Sequence, residues 1–220
     1  MSISRRWVEK PDSLVVRQFI FQVHLWVGAV AGVYVVLMSV SGSIAVFRNE
    51  LSGRFGIESL VDLHDNLLSG ERGRFVNGVG ATCLTVLCLT GAVVWWPGIS
   101  HWRRSLAVNW RAHFARLMWD IHSALGFWCF LFISLWGISG IYFAFPEAFN
   151  AAFGLFDPDD KFTQQVLFVF SNLHFGRFTW FTEILWAMLG LVPAILSVTG
   201  VFLCCRRMIY MTSSPRDEKT

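Results

Sequence analysis

The chain has 220 residues, of which 55% are apolar, 16% aromatic and only 15% charged, with a formal net charge of +3. Soluble globular domains carry about a quarter charged residues, so this composition and a mean hydropathy of +0.52 exclude that class, give no case for nucleic-acid binding, and point to the membrane.

A membrane-spanning helix needs roughly 20 mostly apolar residues. Four stretches meet that length, over about 18–47, 75–97, 119–145 and 179–205. The first is preceded by Arg5, Arg6, Lys10 and Arg17. It is too long for the apolar core of a signal peptide and no small-residue cleavage site follows it, so it is expected to be retained. Its sequence HLWVGAVAGVYVVLMSVSG, from His24 to Gly42, places an imidazole near one end and a Ser-Gly pair near the other. The connection 48–74 holds Arg48, Arg54, Arg72 and Arg74, with His64 in LHDNLL just before the second span. That span ends in Leu-Thr-Gly at Thr90 and Gly91, followed by Trp95, Trp96, Trp102, Trp110 and Trp119, as at a membrane interface. Next come Arg103, Arg104, Arg111 and Arg116, then the third span, which opens at His122. The connection 146–178 holds Asp157, Asp159, Asp160, Lys161 and Arg177, with His174 in LHFGRF before the fourth span. That span contains Pro193, which is expected to kink it, and ends in Val-Thr-Gly at Thr199 and Gly200, followed by Arg206 and Arg207. Arg and Lys thus concentrate on the side of the two tails and the 98–118 loop, which predicts four spans with both termini cytoplasmic.

The third span echoes the first. HSALGFWCFLFISLWGISG maps His24 onto His122, Gly28 onto Gly126, Ser41 onto Ser139 and Gly42 onto Gly140. The second and fourth spans correspond through His64 and His174 before them and the Thr-Gly pairs at their ends. These coincidences in register predict an all-α integral membrane protein made of two tandem two-helix repeats. It reads as a single four-helix domain over 1–220, with repeat one at about 17–97, a cytoplasmic loop at 98–118, repeat two at about 119–207 and a tail at 208–220.

Ionisable side chains at membrane depth mark functional sites by default. The histidines sort into an inner pair, His24 and His122, and an outer pair, His64 and His174, each with one member per repeat. Two neutral imidazoles facing each other from different helices are suited to six-coordinate haem iron. A porphyrin also needs a flat slot. Gly42 lies eighteen residues after His24, about five turns and 27 Å along the same face, as Gly140 does after His122. Spans one and three would then give a histidine to the inner haem and a bare glycine to the outer one, while Gly91 and Gly200 clear the inner site. Gly28 and Gly126, one turn above the inner histidines, offer the same clearance; close helix packing through Gly28-Ala-Val-Ala-Gly32 is the competing explanation. For the haem propionates, Arg103, Arg104 and Arg111 are available inside and Arg48, Arg72, Arg74 and Arg177 outside. Asp65, Asn172, Asp120 and Glu183 are candidates to hold the free ring N–H of a ligand.

Other readings of the same residues are weighed against this one. A lone histidine would read as a hydrogen-bonded core or interfacial group. His101 and His113 lack repeat partners and sit in the basic loop, with His113 the competitor for an inner ligand. A zinc site would need further Cys or carboxylate ligands, with Asp62, Asp65 and Glu183 the nearest outside. The five cysteines lie in or at the spans without a C-x-x-C and read as buried small hydrophobes. No nucleophile elbow, Walker loop or dinucleotide fingerprint is present, so no side chain is assigned a catalytic role.

HLWVGAVAGVYVVLMSVSGSIAVFRNEL, VDLHDNLLSGERGRFVNGVGA, LTGAVVWWPG, HSALGFWCFLFISLWGISGIYFAF and LHFGRF together resemble the PepSY-associated transmembrane helix family of bacterial inner-membrane proteins, over residues 17–207. The resemblance implies two haem b groups ligated by His24, His122, His64 and His174, in a reductase of siderophore-bound iron. Typical members place a large periplasmic segment with a PepSY domain between spans one and two, where this chain has about 27 residues (48–74).

Three functions are therefore expected to compete. In the first, electrons from quinol or a separate donor protein cross two haems to ferric (siderophore) iron outside. In the second, the chain is a cytochrome b membrane anchor linking the quinone pool to a partner oxidoreductase. In the third, it is a structural or assembly membrane protein without a cofactor.

Overall fold

The computed structural model describes residues 7–54, 56–99, 102–153 and 161–213. Arg5, Arg6, His101, Asp157, Asp159, Asp160, Arg216 and Lys219 lie outside the described residues. Among the described residues the chain is all-helical, with no strand.

Helix α1, Val15–Ala45, is a 31-residue run free of proline and charge beyond Arg17. At 1.5 Å per residue it is about 46 Å long, more than the roughly 30 Å of a bilayer core. A short connection leads to α2, Ile57–Asn66, which begins after Gly56 in the left-handed region. It ends at Leu67 and Leu68, both with positive φ (51° and 57°). Two consecutive left-handed leucines are unfavourable by about 1–2 kcal/mol each, and they turn the chain directly into α3, Gly70–Trp95, which stops before Pro97. Helices α4, Phe114–Trp128, and α5, Phe130–Ala144, follow. Then come α6, Pro146–Phe153, with proline at its first position where no N–H is required, and α7, Lys161–Phe175. Helix α8, Trp180–Gly190, starts with a capping box between Thr179 and Thr182. Helix α9, Val192–Ser213, completes the order.

Three units are long and apolar enough to cross a membrane: α1, α3 and the α8–α9 pair, Trp180–Tyr210; counting α4 and α5 together as one span makes four. The third stretch, expected as one helix over 119–145, is bent by 68° between α4 and α5. Its hydrogen bonding continues through the bend, Cys129 N–H donating to Leu125 and Ile133 N–H to Cys129. The bend follows the partners of its two arms: α4 lies along α9, while α5 lies along α3. The elbow is buried, with Cys129 and Ile133 against Val192. With α1 between α3 and α9, the spans close a ring in which the bent unit is held at both ends. Outward apolar side chains such as Val30 and Val33, each 84% exposed, give the ring a lipid-compatible surface.

At Pro193, where a kink was expected, the helix is interrupted for one residue within a single candidate span, Trp180–Tyr210. Helix α8 ends at Gly190 and α9 begins at Val192. The backbone pair that would join Gly190 C=O to Ala194 N–H is instead bridged by Ser39 of α1, whose hydroxyl donates to Gly190 O and accepts from Ala194 N–H. Ser39→Ala should therefore strand a carbonyl and an N–H in a buried break, costing about 1–3 kcal/mol. A lowered midpoint in detergent denaturation checks this, and an unchanged one would show that the break is satisfied without the hydroxyl.

Candidate functional site

The ring of spans converges on two pairs of histidines at opposite ends of α1. In the first pair, His24 of α1 and His122 of α4 have ring centres 6.3 Å apart and ring planes at 82°. Each ring is tied back through Nδ1 to a neighbouring helix: His24 to Thr90 Oγ1 of α3 at 3.0 Å, His122 to Thr199 Oγ1 of α9 at 3.0 Å, with Leu196 O equally close. In the second pair, His64 of α2 meets Ser41 Oγ of α1 at 3.1 Å, and His174 of α7 meets Ser139 Oγ of α5 at 2.5 Å. Burial pushes the His64 imidazole below its ordinary pKa, and burial followed by the charge of nearby His64 pushes His174 down to about 3. Both rings are therefore neutral at physiological pH, the form able to offer a nitrogen lone pair.

The short helices bearing the second pair are anchored at their ends, where carbonyls lack intrahelical partners. Asn77 Nδ2 donates to His64 O at 2.6 Å and Asp65 O at 2.8 Å, and Tyr34 in turn holds Asn77. Trp136 Nε1 donates to His174 O at 3.1 Å, and Trp186 Nε1 to Leu173 O at 2.7 Å. None of these four anchors stands out in the sequence, because their targets are main-chain atoms.

The glycines differ in what surrounds them. Gly42, Gly91 and Gly200 lie against imidazole edges: an added Cβ would stand 2.6 Å from His64 Cε1, 3.2 Å from His24 Cε1 and 3.1 Å from His122 Cε1 respectively. At Gly140 it would meet Ala81 at 3.0 Å. Gly28 and Gly126 have room, with their nearest neighbours at 3.6 and 3.9 Å. Gly32 is a packing contact, since Ser197 donates to its carbonyl at 2.8 Å and Val201 leans on it.

The first pair borders a cavity of about 1500 Å³, which Gly28, Gly126, Gly91 and Gly200 also line. Its basic lining consists of Arg17, Arg104, Arg116, Arg206 and Arg207. Arg103 and Arg111 are exposed and not part of that lining, Arg103 lying over Trp102. Arg116 pairs with the buried Asp120 at 2.8 Å, and Arg17 donates to the Val94 carbonyl. Trp95 stacks on Phe127 at the cavity wall, with its buried indole N–H unpartnered. At the second pair, the Arg48 and Arg177 guanidiniums lie 5.5 and 5.2 Å over the Phe175 ring, which touches His174. Arg177 Nε is buried without a partner. Burial first and Arg48 second lower its pKa, against smaller opposing effects of Glu183 and Glu50.

Three of the four residues anticipated as partners of the ring N–H are engaged elsewhere. Asp65 pairs with Arg74 at 3.0 Å, Asn172 donates to Phe168 O, and Asp120 holds Arg116. His113 caps the start of α4, accepting from Arg116 N–H. Among the described residues no group of three or more His, Cys, Asp or Glu could hold a metal ion. Two imidazoles instead lie near each other at each end of α1.

No curated protein and no solved structure matches the chain. The family model described as PepSY-associated TM region matches residues 52–158 and 152–207. Together with the apolar helices, this match makes the chain a multi-pass membrane protein that belongs to the PepSY-associated TM region family.

Proposed function

We propose that the protein carries electrons across the bacterial inner membrane through two haem b groups, one held by His24 and His122 and the other by His64 and His174. The observation that carries this reading is the first pair. A metal about 2 Å from a nitrogen of each ring puts the ring centres about 6 Å apart, and the observed 6.3 Å matches. The cavity beside it is supportive in its own right. Gly28 and Gly126 line it although the protein's own packing leaves room for a Cβ at both, so an occupant of the cavity accounts for glycine there. Arg104, Arg17, Arg206 and Arg207 supply cations for the propionates at that end. Arg177, with its unpartnered Nε, does so at the other.

Haem, when bound, supplies one-electron carriage. The chain's residues hold it, keep the rings neutral and exclude water with apolar walls. In this reading the bent α4–α5 unit is one span, the halves 17–97 and 119–207 are tandem copies, and both termini face the cytoplasm, in keeping with the concentration of Arg and Lys near the first pair. Electrons enter there from quinol or a separate donor protein and leave at the second pair to ferric iron, siderophore-bound as the family suggests. A second reading, a cytochrome b anchor for a partner oxidoreductase, is favoured by one feature. The connection between α1 and α3 is occupied by α2 and short turns, which leave no platform for a bulky chelate.

Pyridine haemochrome analysis of purified protein is expected to give about two b-type haems per chain; absence of b-type haem would end both readings. Reoxidation of the reduced protein by a ferric chelate without a second subunit supports the reductase, and co-purification of an oxidoreductase subunit supports the anchor.

A further inference from the structure

All four histidines are fixed the same way, each through Nδ1 to a Ser or Thr hydroxyl on another helix. A hydroxyl has one proton to donate and two lone pairs. Ser41 is within 2.8 Å of Leu37 O, Ser139 within 2.5 Å of Leu135 O, Thr90 within 2.6 Å of Val86 O and Thr199 within 2.7 Å of Ile195 O. In each case the hydroxyl is placed to donate to the carbonyl one turn back on its own helix. Toward the imidazole the oxygen can only accept, so the proton of the hydrogen bond belongs to the ring Nδ1.

We infer that Ser41, Ser139, Thr90 and Thr199 are positioning residues that set the tautomer of His64, His174, His24 and His122, leaving Nε2 as the unprotonated, ligating nitrogen of every ring. The inference rests on the proposed haem ligation for its consequence, and on the hydrogen bonds alone for the tautomer. The glycine that follows each hydroxyl belongs to the same device at three of the four positions. Gly42, Gly91 and Gly200 let the ring edge lie against the helix so that Nδ1 reaches the hydroxyl. A Ser/Thr-Gly step on one helix is thus a seat for an imidazole from another.

The acceptors are neutral. Metal-bound histidines commonly donate to a carboxylate or a carbonyl, which raises ligand basicity. A hydroxyl whose own proton is already engaged is a weaker acceptor than a carboxylate, and the further acceptors are neutral backbone carbonyls, Leu87 at His24, Met38 at His64 and Leu196 at His122. Losing the hydroxyl leaves the imidazole a poorer donor to oxidised iron, so the midpoint potential of that haem should rise.

Ser139 is the best position to test, because it is fully buried and its replacement by alanine removes one oxygen. Ser139→Ala is expected to weaken haem binding at the second pair by about ten- to a hundredfold, measured by haemin titration of the apoprotein. It should also shift that haem's midpoint potential upward and alter its ferric electron paramagnetic resonance signal, with the first pair's haem unchanged. Ser139→Thr, which restores the hydroxyl, should return all three readouts. Thr90→Val and Thr90→Ser provide the same comparison at the first pair if Ser139→Ala does not fold. Unchanged affinity, potential and resonance signal in the hydroxyl-free variants would overturn the inference while leaving the haem reading intact. A wild-type protein that binds no b-type haem would overturn the haem reading itself.

Discussion

His24→Ala is expected to cut the b-type haem content from about two per chain to about one, with His64→Ala removing the other and the double variant retaining neither. The effect should be large because each pair has two rings and no third ligand nearby: among the described residues nothing else forms a metal-binding group. His113, the described histidine of the basic loop, caps α4. Redox titration of the optical spectrum would show one of two components lost in each single variant. If His24→Ala kept both haems, the first pair would not be the ligand set, and the cavity beside it would need another occupant. Because the two pairs use different helices at opposite ends of α1, loss at one should leave the other's content intact, which separates ligand removal from general unfolding.

The second large effect is expected at Gly42. A methyl group there would stand 2.6 Å from His64 Cε1 and 3.2 Å from Nδ1, well inside ordinary contact. His64 cannot back away cheaply, since Asn77 holds the carbonyl end of α2 and two left-handed leucines fix the turn behind it. Gly42→Ala should therefore break the Ser41–His64 hydrogen bond, cost about 1–3 kcal/mol of stability and deplete the haem at the second pair. Gly91→Ala and Gly200→Ala, at 3.2 and 3.1 Å, should be milder, and Gly126→Ala, at 3.9 Å, should leave the apoprotein's stability unchanged. Thermal unfolding of apoprotein and holoprotein across the series checks the order. A Gly42→Ala protein as stable and as haem-rich as the wild type would show that the ring has room to shift.

The spans were legible in the sequence because long apolar runs leave few alternatives, and their ends moved by only a few residues. The elbow at Cys129 was not legible, since no proline marks it; it reflects two different neighbours claiming the two arms of one apolar run. Pro193 pointed to a kink, but not to the interrupted ladder that the Ser39 hydroxyl bridges, because the partners of that hydroxyl lie far away in sequence. The matching stretches of sequence drew attention to Ser41, Ser139, Thr90 and Thr199 without revealing what they do. Polar residues close in sequence, Asp65, Asn172 and Asp120, looked like better partners for an imidazole, yet Asp65 and Asp120 hold arginines and Asn172 a carbonyl of its own helix. Likewise Arg103 and Arg104 are indistinguishable as neighbours in a basic loop, and only the fold turns Arg104 into the cavity's lining and Arg103 onto Trp102.

The bonds that aim the rings have one more consequence. His24 and Thr90, and His64 and Ser41, lie before residue 98; His122 and Thr199, and His174 and Ser139, lie after it. Orientation of every imidazole is therefore settled within its own half of the chain, while proximity of partners within a pair depends entirely on how the halves meet. Each half is a finished jaw, and the bite exists only between them.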